Sequence, residues 1–240
     1  MYRRVILKLS GETLAPETPP MDKKKSQTFD PQRVDRAAEA IIALHDLGVQ
    51  VGVVMGGGNI WRGRFTDEMD PVSADQMGML ATIINALAVQ DAIKRHGAEA
   101  IVYTAQDMPR FAELYRADKA DAAMNSGAIV LLSGGTGNPF FTTDTGAALR
   151  AAELRADAVF KGTTVQGVYD SDPRENPEAK LLKEVSYRQC IEMGIKVMDT
   201  AAFQICLDQK IPEIRVFAMD DLANIAKVAA GEPIGTRVHA

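Results

Sequence analysis

The chain has 240 residues, 46% hydrophobic and 25% charged, a globular composition with room for one large α/β domain or two small ones. A net charge of −5 gives no global pull on nucleic acid, so an anionic ligand has to be held by local cations and backbone amides. No run of about 18 apolar residues stands out, which argues against a membrane-spanning helix and a membrane partner.

In chain order, the basic-then-apolar start is too short for a secretory signal and reads as a first strand over residues 5–9, ending in Ser10-Gly11-Glu12. Residues 15–27 form a polar stretch with Pro16, Pro19, Pro20 and Lys23-Lys24-Lys25, which predicts a solvated, mobile loop. Asp30 and Pro31 supply an N-cap and first-turn pair for a helix to Leu47, closed by Gly48. A second strand over 49–55 runs into Gly56-Gly57-Gly58. Ser73-Ala74-Asp75-Gln76 fits a capping box for a long helix to about His96. Its apolar Met77, Leu80, Ile84, Leu87 and Val89 predict a mostly buried helix, with core and subunit interface both open as its destination. Strands follow at 101–104, 129–133, 158–161 and 214–217, and helices at 147–154, 199–209 and 222–230. A second loop, 170–178, holds Pro173 and Pro177 after Tyr169. Cys190 and Cys206 lack metal-ligand spacing and read as packed thiols in a reducing cytoplasm. Alternation of this kind predicts an α/β three-layer sandwich, a mainly parallel central sheet with helices on both faces.

Parallel sheets bind ligands beyond the carboxyl ends of their strands. Lys8 with Ser10-Gly11, the Gly56–Gly58 turn, the 134–143 stretch and Lys161-Gly162-Thr163 all end strands, so they should gather on one rim with Arg62 and Arg64. Gly-rich turns there offer amides to phosphates. The chain lacks both G-x-x-x-x-G-K-[ST] and a properly placed G-x-G-x-x-G, which disfavours P-loop and dinucleotide chemistry. Phosphoryl transfer needs alignment and charge neutralisation. The two lysines are expected to flank the transferring group from opposite sides, with Asp144 ordering them or holding metal-bound water. Taken singly, each has a plainer reading: a lysine ending a strand is usually solvated, Asp144 a helix cap, and Asp75 a first-turn charge worth ~0.5 kcal/mol. Arg62, in a glycine-flanked loop, suits bidentate phosphate binding.

Lys8-Leu9-Ser10-Gly11-Glu12, Gly56-Gly57-Gly58-Asn59 with Arg62-Gly63, Asp75-Gln76-Met77-Gly78-Met79-Leu80-Ala81-Thr82 and Thr136-Gly137-Asn138-Pro139-Phe140-Phe141-Thr142-Thr143-Asp144 closely resemble the bacterial UMP kinases (uridylate kinases) of the amino-acid-kinase fold family. Lys161-Gly162-Thr163, Gly167-Val168-Tyr169 with Asp172-Pro173, and Lys196-Val197-Met198-Asp199 extend the match in order over nearly the whole chain. The resemblance implies one domain over 1–240, with about 1–135 serving UMP and oligomer contacts and about 136–240 serving ATP. It implies transfer of the γ-phosphoryl of MgATP to UMP, giving UDP and ADP, in pyrimidine nucleotide biosynthesis. By position, Lys8, Leu9, Ser10, Gly11, Gly58, Arg62, Thr163, Tyr169 and Asp172 would contact ATP. Gly57, Asp75 and Thr136 through Thr143 would hold UMP, and Lys8, Arg62, Asp144 and Lys161 would form the reacting centre. Mg²⁺ would arrive with ATP, without a metal site of the protein's own. A cytoplasmic homohexamer, inhibited by UTP and with GTP as a further effector, is also implied.

The UMP phosphate, with a second pKa of about 6, is already a nucleophile at neutral pH, so no general base is needed. The chain departs from the family pattern at Trp61, in the longer stretch after Glu12, and at Gln90 and Lys94, where some relatives carry basic residues for GTP. The competing expectations are a family member that phosphorylates a carboxylate or carbamate, and a non-catalytic nucleotide-binding protein of the same fold.

Overall fold

Period-two alternation divides the first strand between two cores. In the computed structural model, which describes residues 2–17, 28–62, 69–173 and 175–240, strand β1 (Arg4–Leu9) is buried throughout. Val5, Leu7 and Leu9 point to one core, and Ile6 to the other. Both faces of a strand become apolar when helices cover both sides of a parallel sheet. Helices α1 (Pro31–Asp46), α2 (Pro71–Arg95) and α7 (Asn224–Ala229) cover the first face. Helices α3 (Ala117–Asn125), α4 (Thr143–Glu153), α5 (Tyr187–Glu192) and α6 (Thr200–Asp208) cover the second. Phe160, fully buried in the first core, meets Tyr2 and Phe217 edge-on at 5.1 and 5.8 Å between ring centres. Burying a side chain of that size contributes roughly 1.5–3 kcal/mol.

The remaining strands are β2 (Gln50–Met55), β3 (Ala100–Thr104), β4 (Glu113–Leu114), β5 (Ile129–Ser133), β6 (Ala158–Thr163), β7 (Glu184–Ser186), β8 (Glu213–Ala218) and β9 (Thr236–His239). They form one sheet in the order β4-β3-β5-β2-β1-β6-β8-β9-β7. The pairings are parallel except β8 with β9, which is antiparallel. The expected three-layer, mainly parallel sandwich is therefore the observed one. The edge strands β4 and β7, the strand β9 between β8 and β7, the helix α3 and the capping-box helix α5 lie outside the segments expected from the sequence. The strands have two to four residues each, too short for period two to register.

Two expectations for α2 are corrected. Its N-cap is Asp70, whose Oδ1 accepts from the Ser73 N–H at 3.0 Å with Pro71 in the first turn, so the helix begins before the Ser73–Gln76 box. Asp70-Pro71 repeats the Asp30-Pro31 arrangement of α1, where Asp30 Oδ1 accepts from Gln32 N–H at 2.9 Å. The helix is not buried all round: Met77, Leu80 and Ile84 are 39%, 47% and 48% exposed, while Ala81, Ile83, Ala86, Val89, Ala92 and Ile93 face inward. This 25-residue helix, with a mean hydropathy of 1.3 over an 18-residue window, is long and apolar enough to cross a membrane by length and composition only. Ala86, Val89, Ala92 and Ile93 pack in the first core, where the helix meets α1 and the sheet.

Helix α4 likewise starts earlier than expected, at Thr143, because Thr142 caps it. The Thr142 hydroxyl oxygen accepts from the N–H groups of Asp144 at 3.0 Å and Thr145 at 3.3 Å. Of the Pro- and Lys-rich stretch expected as a loop, residues 18–27 lie outside the described residues, as do Gly63 and Arg64.

Candidate active site

Strand register brings the two lysines together. Lys8 and Lys161 are partners on the adjacent parallel strands β1 and β6. Lys8 shares its side of the sheet with Ile6, and Lys161 with Val159, so both project toward α4. There the first turn of α4 presents Asp144. Lys161 Nζ donates to both Asp144 carboxylate oxygens, at 2.6 and 2.7 Å, and Lys8 Nζ lies 2.9 Å from Oδ1. The lysines therefore stand side by side on one carboxylate. Lys8 is 9% and Lys161 6% exposed, which rules out solvated strand-end lysines.

Burial alone would raise the Asp144 carboxyl, but Lys8 and then Lys161 outweigh it and hold the group below the usual carboxylate range. Burial, helped by the neighbouring Lys8 charge and opposed by Asp144, pulls Lys161 down to about 8. Two ammonium groups against one carboxylate leave one surplus positive charge in a largely dry site. An unmatched buried charge is unfavourable, so this arrangement favours an incoming anion.

The glycine turn after β2 packs beside the end of β1. Leu9 C=O accepts from Gly56 N–H at 2.8 Å, while Gly57 C=O accepts from the Ile60 and Trp61 N–H groups. Asn85, fully buried on α2, donates to Gly56 C=O at 2.6 Å and pairs amide to amide with Asn59. Gly11 is held in this junction. A Cβ there would come 2.3 Å from Asn59 Oδ1 and 2.7 Å from Gly56 O, so only glycine lets the chain pass so close.

The 134–142 stretch is tied down at three points. Gly134, at φ +77°, donates its N–H to Thr82 Oγ1 at 2.8 Å. Phe140 donates its N–H to Asp75 Oδ2 at 2.6 Å. Asp199, the N-cap of α6, accepts from the Thr142 hydroxyl and from Thr145 Oγ1 at 2.8 Å, as well as from Ala202 N–H at 2.8 Å. Thus two residues of α2 anchor the loop, and Asp199 locks the helix start that carries Asp144. Within the loop, Asn138 N–H and C=O both meet Thr136 Oγ1, and Phe140 and Phe141 are exposed.

Other expected site residues lie around this junction. Arg62 is paired with Glu12 and donates Nε–H to Gly58 C=O at 3.1 Å, so it borders the glycine turn without contacting the Lys8–Asp144–Lys161 cluster. Ser10 stands before the short 3-10 turn Gly11–Leu14, its C=O accepting from Thr13 N–H at 3.1 Å. Thr163, the last residue of β6, accepts at its C=O from Met219 N–H at 2.9 Å; beyond the strand, Tyr169 bridges Leu181 and Asp172 C=O accepts from Asn176 N–H at 2.8 Å. Thr82, Asn85, Asp199 and Glu12 had no role assigned from sequence. The signal for the first two was a polar residue recurring at helical spacing on an otherwise apolar helix.

A cavity of about 330 Å³ lies between the first turns of α2 and the 136–140 loop, beside the Asp75–Phe140 bond. A larger groove, about 500 Å³, lies between α5 and α6 and is lined by Arg188, Glu192, Gln204 and Asp208, with none of the site residues in its wall.

The Amino acid kinase family matches residues 3–217. The chain belongs to the amino acid kinase family. Among the members it resembles, a Uridylate kinase of Phocaeicola vulgatus is 45% identical over 99% of this chain and 98% of the relative. A Uridylate kinase of Bacteroides thetaiotaomicron is 46% identical over the same shares. The crystal structure of UMP kinase from Bacillus anthracis superposes with a TM-score of 0.92 at 35% identity, covering 99% of this chain and 96% of that one. The strand-end cluster thus sits in an amino acid kinase fold matched along its whole length.

Proposed function

We propose that this chain is a UMP kinase, moving the γ-phosphoryl group of ATP to the phosphate of UMP and releasing UDP and ADP. The name Uridylate kinase borne by full-length relatives supports the acceptor. The observation that carries the chemistry is the pair of buried ammonium groups on Asp144, at the strand ends where two polyanions would have to meet.

The UMP phosphate attacks the γ-phosphorus in line, the bond to the ADP oxygen breaks, and charge spreads over the transferring oxygens. Lys8 and Lys161 stabilise that charge by donating N–H groups already fixed in place, so little reorganisation is needed as the charge moves. Asp144 holds both in position. Asp75, which anchors Phe140, keeps acceptor capacity for ribose hydroxyls, and the 136–143 stretch wraps UMP with Gly57. ATP lies along Lys8, Leu9, Ser10, Gly11 and Gly58, with Thr163, Tyr169 and Asp172 at its nucleoside end. Arg62 exchanges Glu12 for phosphate. The donor set at the junction, one carboxylate shared by two ammonium groups, suits Mg²⁺ brought in on the phosphates of ATP, which Asp144 would help to hold in place. When bound, Mg²⁺ neutralises phosphate charge.

The proposal extends to a single functional domain, with the UMP side mainly before residue 135 and the ATP side after it. The exposed Met77, Leu80 and Ile84 of α2 support self-association, as a hexamer. Free, buried Cys190 and Cys206 fit a reducing cytoplasm. UTP shares its base with UMP and competes as an inhibitor. GTP as effector rests on exposed Lys94, since Gln90 is committed to Ala100 C=O at 2.9 Å. A coupled assay of ADP release with UMP, CMP, aspartate and acetylglutamate tests the reading: UMP should be the preferred acceptor, and turnover with a carboxylate in place of UMP would overturn it.

A further inference from the structure

The cavity beside the Asp75–Phe140 bond has apolar walls from Met79, Leu80 and Pro139, and two side-chain amides, Gln76 and Gln106, also line it. Gln106 follows the end of β3, and its backbone N–H is 3.3 Å from Thr104 Oγ1. The two ends of its amide are poorly served. Nε2 donates to the Met79 thioether at 3.4 Å, a weak acceptor that engages one of its two N–H bonds. Oε1 is fully buried and finds no hydrogen-bond donor among the described residues.

The orientation of this amide is set by its surroundings. Oε1 lies against Gly134, where a Cβ would come within 2.3 Å of it, whereas Nε2 faces Met79 and the space over Gly137. The carbonyl therefore turns into the protein and the amino end toward the cavity. The N–H of Nε2 that the Met79 thioether does not engage is thus the group able to donate into the cavity.

We propose that Gln106 is the base-reading residue of the acceptor site, its Nε2 donating a hydrogen bond to the 4-carbonyl oxygen of a uracil ring seated in this cavity. Asp75, on the same side of the loop, places the ribose next to it. Uracil offers an acceptor at that corner. Cytosine offers an amino group there, so donor would face donor and the amide would be left unpaired. The inference rests on the UMP kinase reading and supplies the basis of its base preference.

The test compares kcat/KM for UMP and CMP, at saturating ATP, in wild type, Gln106→Leu and Gln106→Glu. Thermal unfolding and ATP binding check that each variant is folded, and Gln106→Met replaces any that is not. In Gln106→Leu the UMP-to-CMP ratio should fall about tenfold, chiefly through the KM for UMP, as expected for loss of one hydrogen bond. In Gln106→Glu it should fall further, because a carboxylate rejects the 4-carbonyl and accepts from the 4-amino group. A ratio that stays at the wild-type value in the folded variants overturns the role of Gln106 while leaving the enzyme reading intact. A wild type without UMP-dependent turnover overturns both.

Discussion

Lys8 and Lys161 are register partners on neighbouring parallel strands, and both ammonium groups end on the Asp144 carboxylate. Their placement follows from strand pairing: a one-residue slip would send one lysine to the opposite face of the sheet. Asp144 reaches them because the Thr142 cap begins α4 directly above those strand ends. The site is thus held by the sheet core and by a helix terminus rather than by loops alone.

Removing the shared carboxylate leaves two buried like charges without their counter-ion. Asp144→Asn should destabilise the protein by about 3–5 kcal/mol, the usual effect of breaking a buried ion pair from one side. It should also lower kcat by about 100-fold or more, since the donors lose their alignment. Denaturant melts and steady-state kinetics on one preparation check both effects. Full activity in a folded Asp144→Asn variant would show that the carboxylate does not order the lysines.

The depressed Lys161 gives activity and stability opposite responses to alkali. The free enzyme should lose kcat/KM for ATP as pH rises through about 8, when Lys161 gives up its proton. For folding, the unfolded chain binds more protons than the folded one between about 8 and the ordinary lysine value of 10.5, so this group's contribution to stability rises across that window. Asp144, held below the usual range, contributes stability above the unfolded carboxylate pKa that is lost as pH falls through its folded value. A pH–rate profile set beside melts of wild type and Lys161→Met separates these effects. An alkaline limb that stays flat to pH 10 would contradict the assignment.

Thr82 should act on UMP without touching it. Thr82→Val keeps the shape of the side chain but leaves the buried Gly134 N–H unpaired, a loss of about 1–3 kcal/mol. The loop it anchors should then hold UMP more weakly, raising the KM for UMP several-fold with a smaller effect on ATP, and Thr82→Ser should restore it. Equal changes in both KM values would point to general loosening instead.

Gly11 tests how tightly the β1 and β2 turns are packed together. Gly11→Ala drives a Cβ into Asn59 and the Gly56 carbonyl, so stability should fall by about 1–3 kcal/mol. Because the disturbed turn lies beside Ser10 and Gly58, the KM for ATP should rise more than that for UMP. A Tm and KM for ATP matching wild type would show that the junction can yield.

Much of this site was legible because its chemistry sits in short strings at strand ends. Lys8, Gly56–Gly58, Lys161 and Asp144 could be gathered on one rim once the parallel sheet was inferred. What stayed hidden depended on tertiary partners. The pairing of Arg62 with Glu12 joins residues far apart in sequence, and nothing local predicts that Arg62 stands away from Lys161. Thr82 and Asn85 looked like interruptions in an apolar helix, yet they hold the Gly134 and Gly56 turns. The exposure of Met77, Leu80 and Ile84 on α2 is not legible in the sequence, because composition does not say which of two apolar faces meets the core. The start of that helix was misplaced for a local reason: Asp70-Pro71 outcompetes the Ser73 box three residues later. Strand β9 was missed because four residues paired antiparallel with β8 interrupt the parallel alternation.

The role of the strand-end lysines is tested most directly by UMP-dependent ADP release measured side by side for wild type and Lys8→Met, with ATP binding followed on the same samples. Wild type should turn over, and kcat should fall about 100-fold or more in Lys8→Met, with ATP affinity changed only a few-fold. Equal kcat in the two proteins, or no ADP release on adding UMP to wild type, would contradict that role.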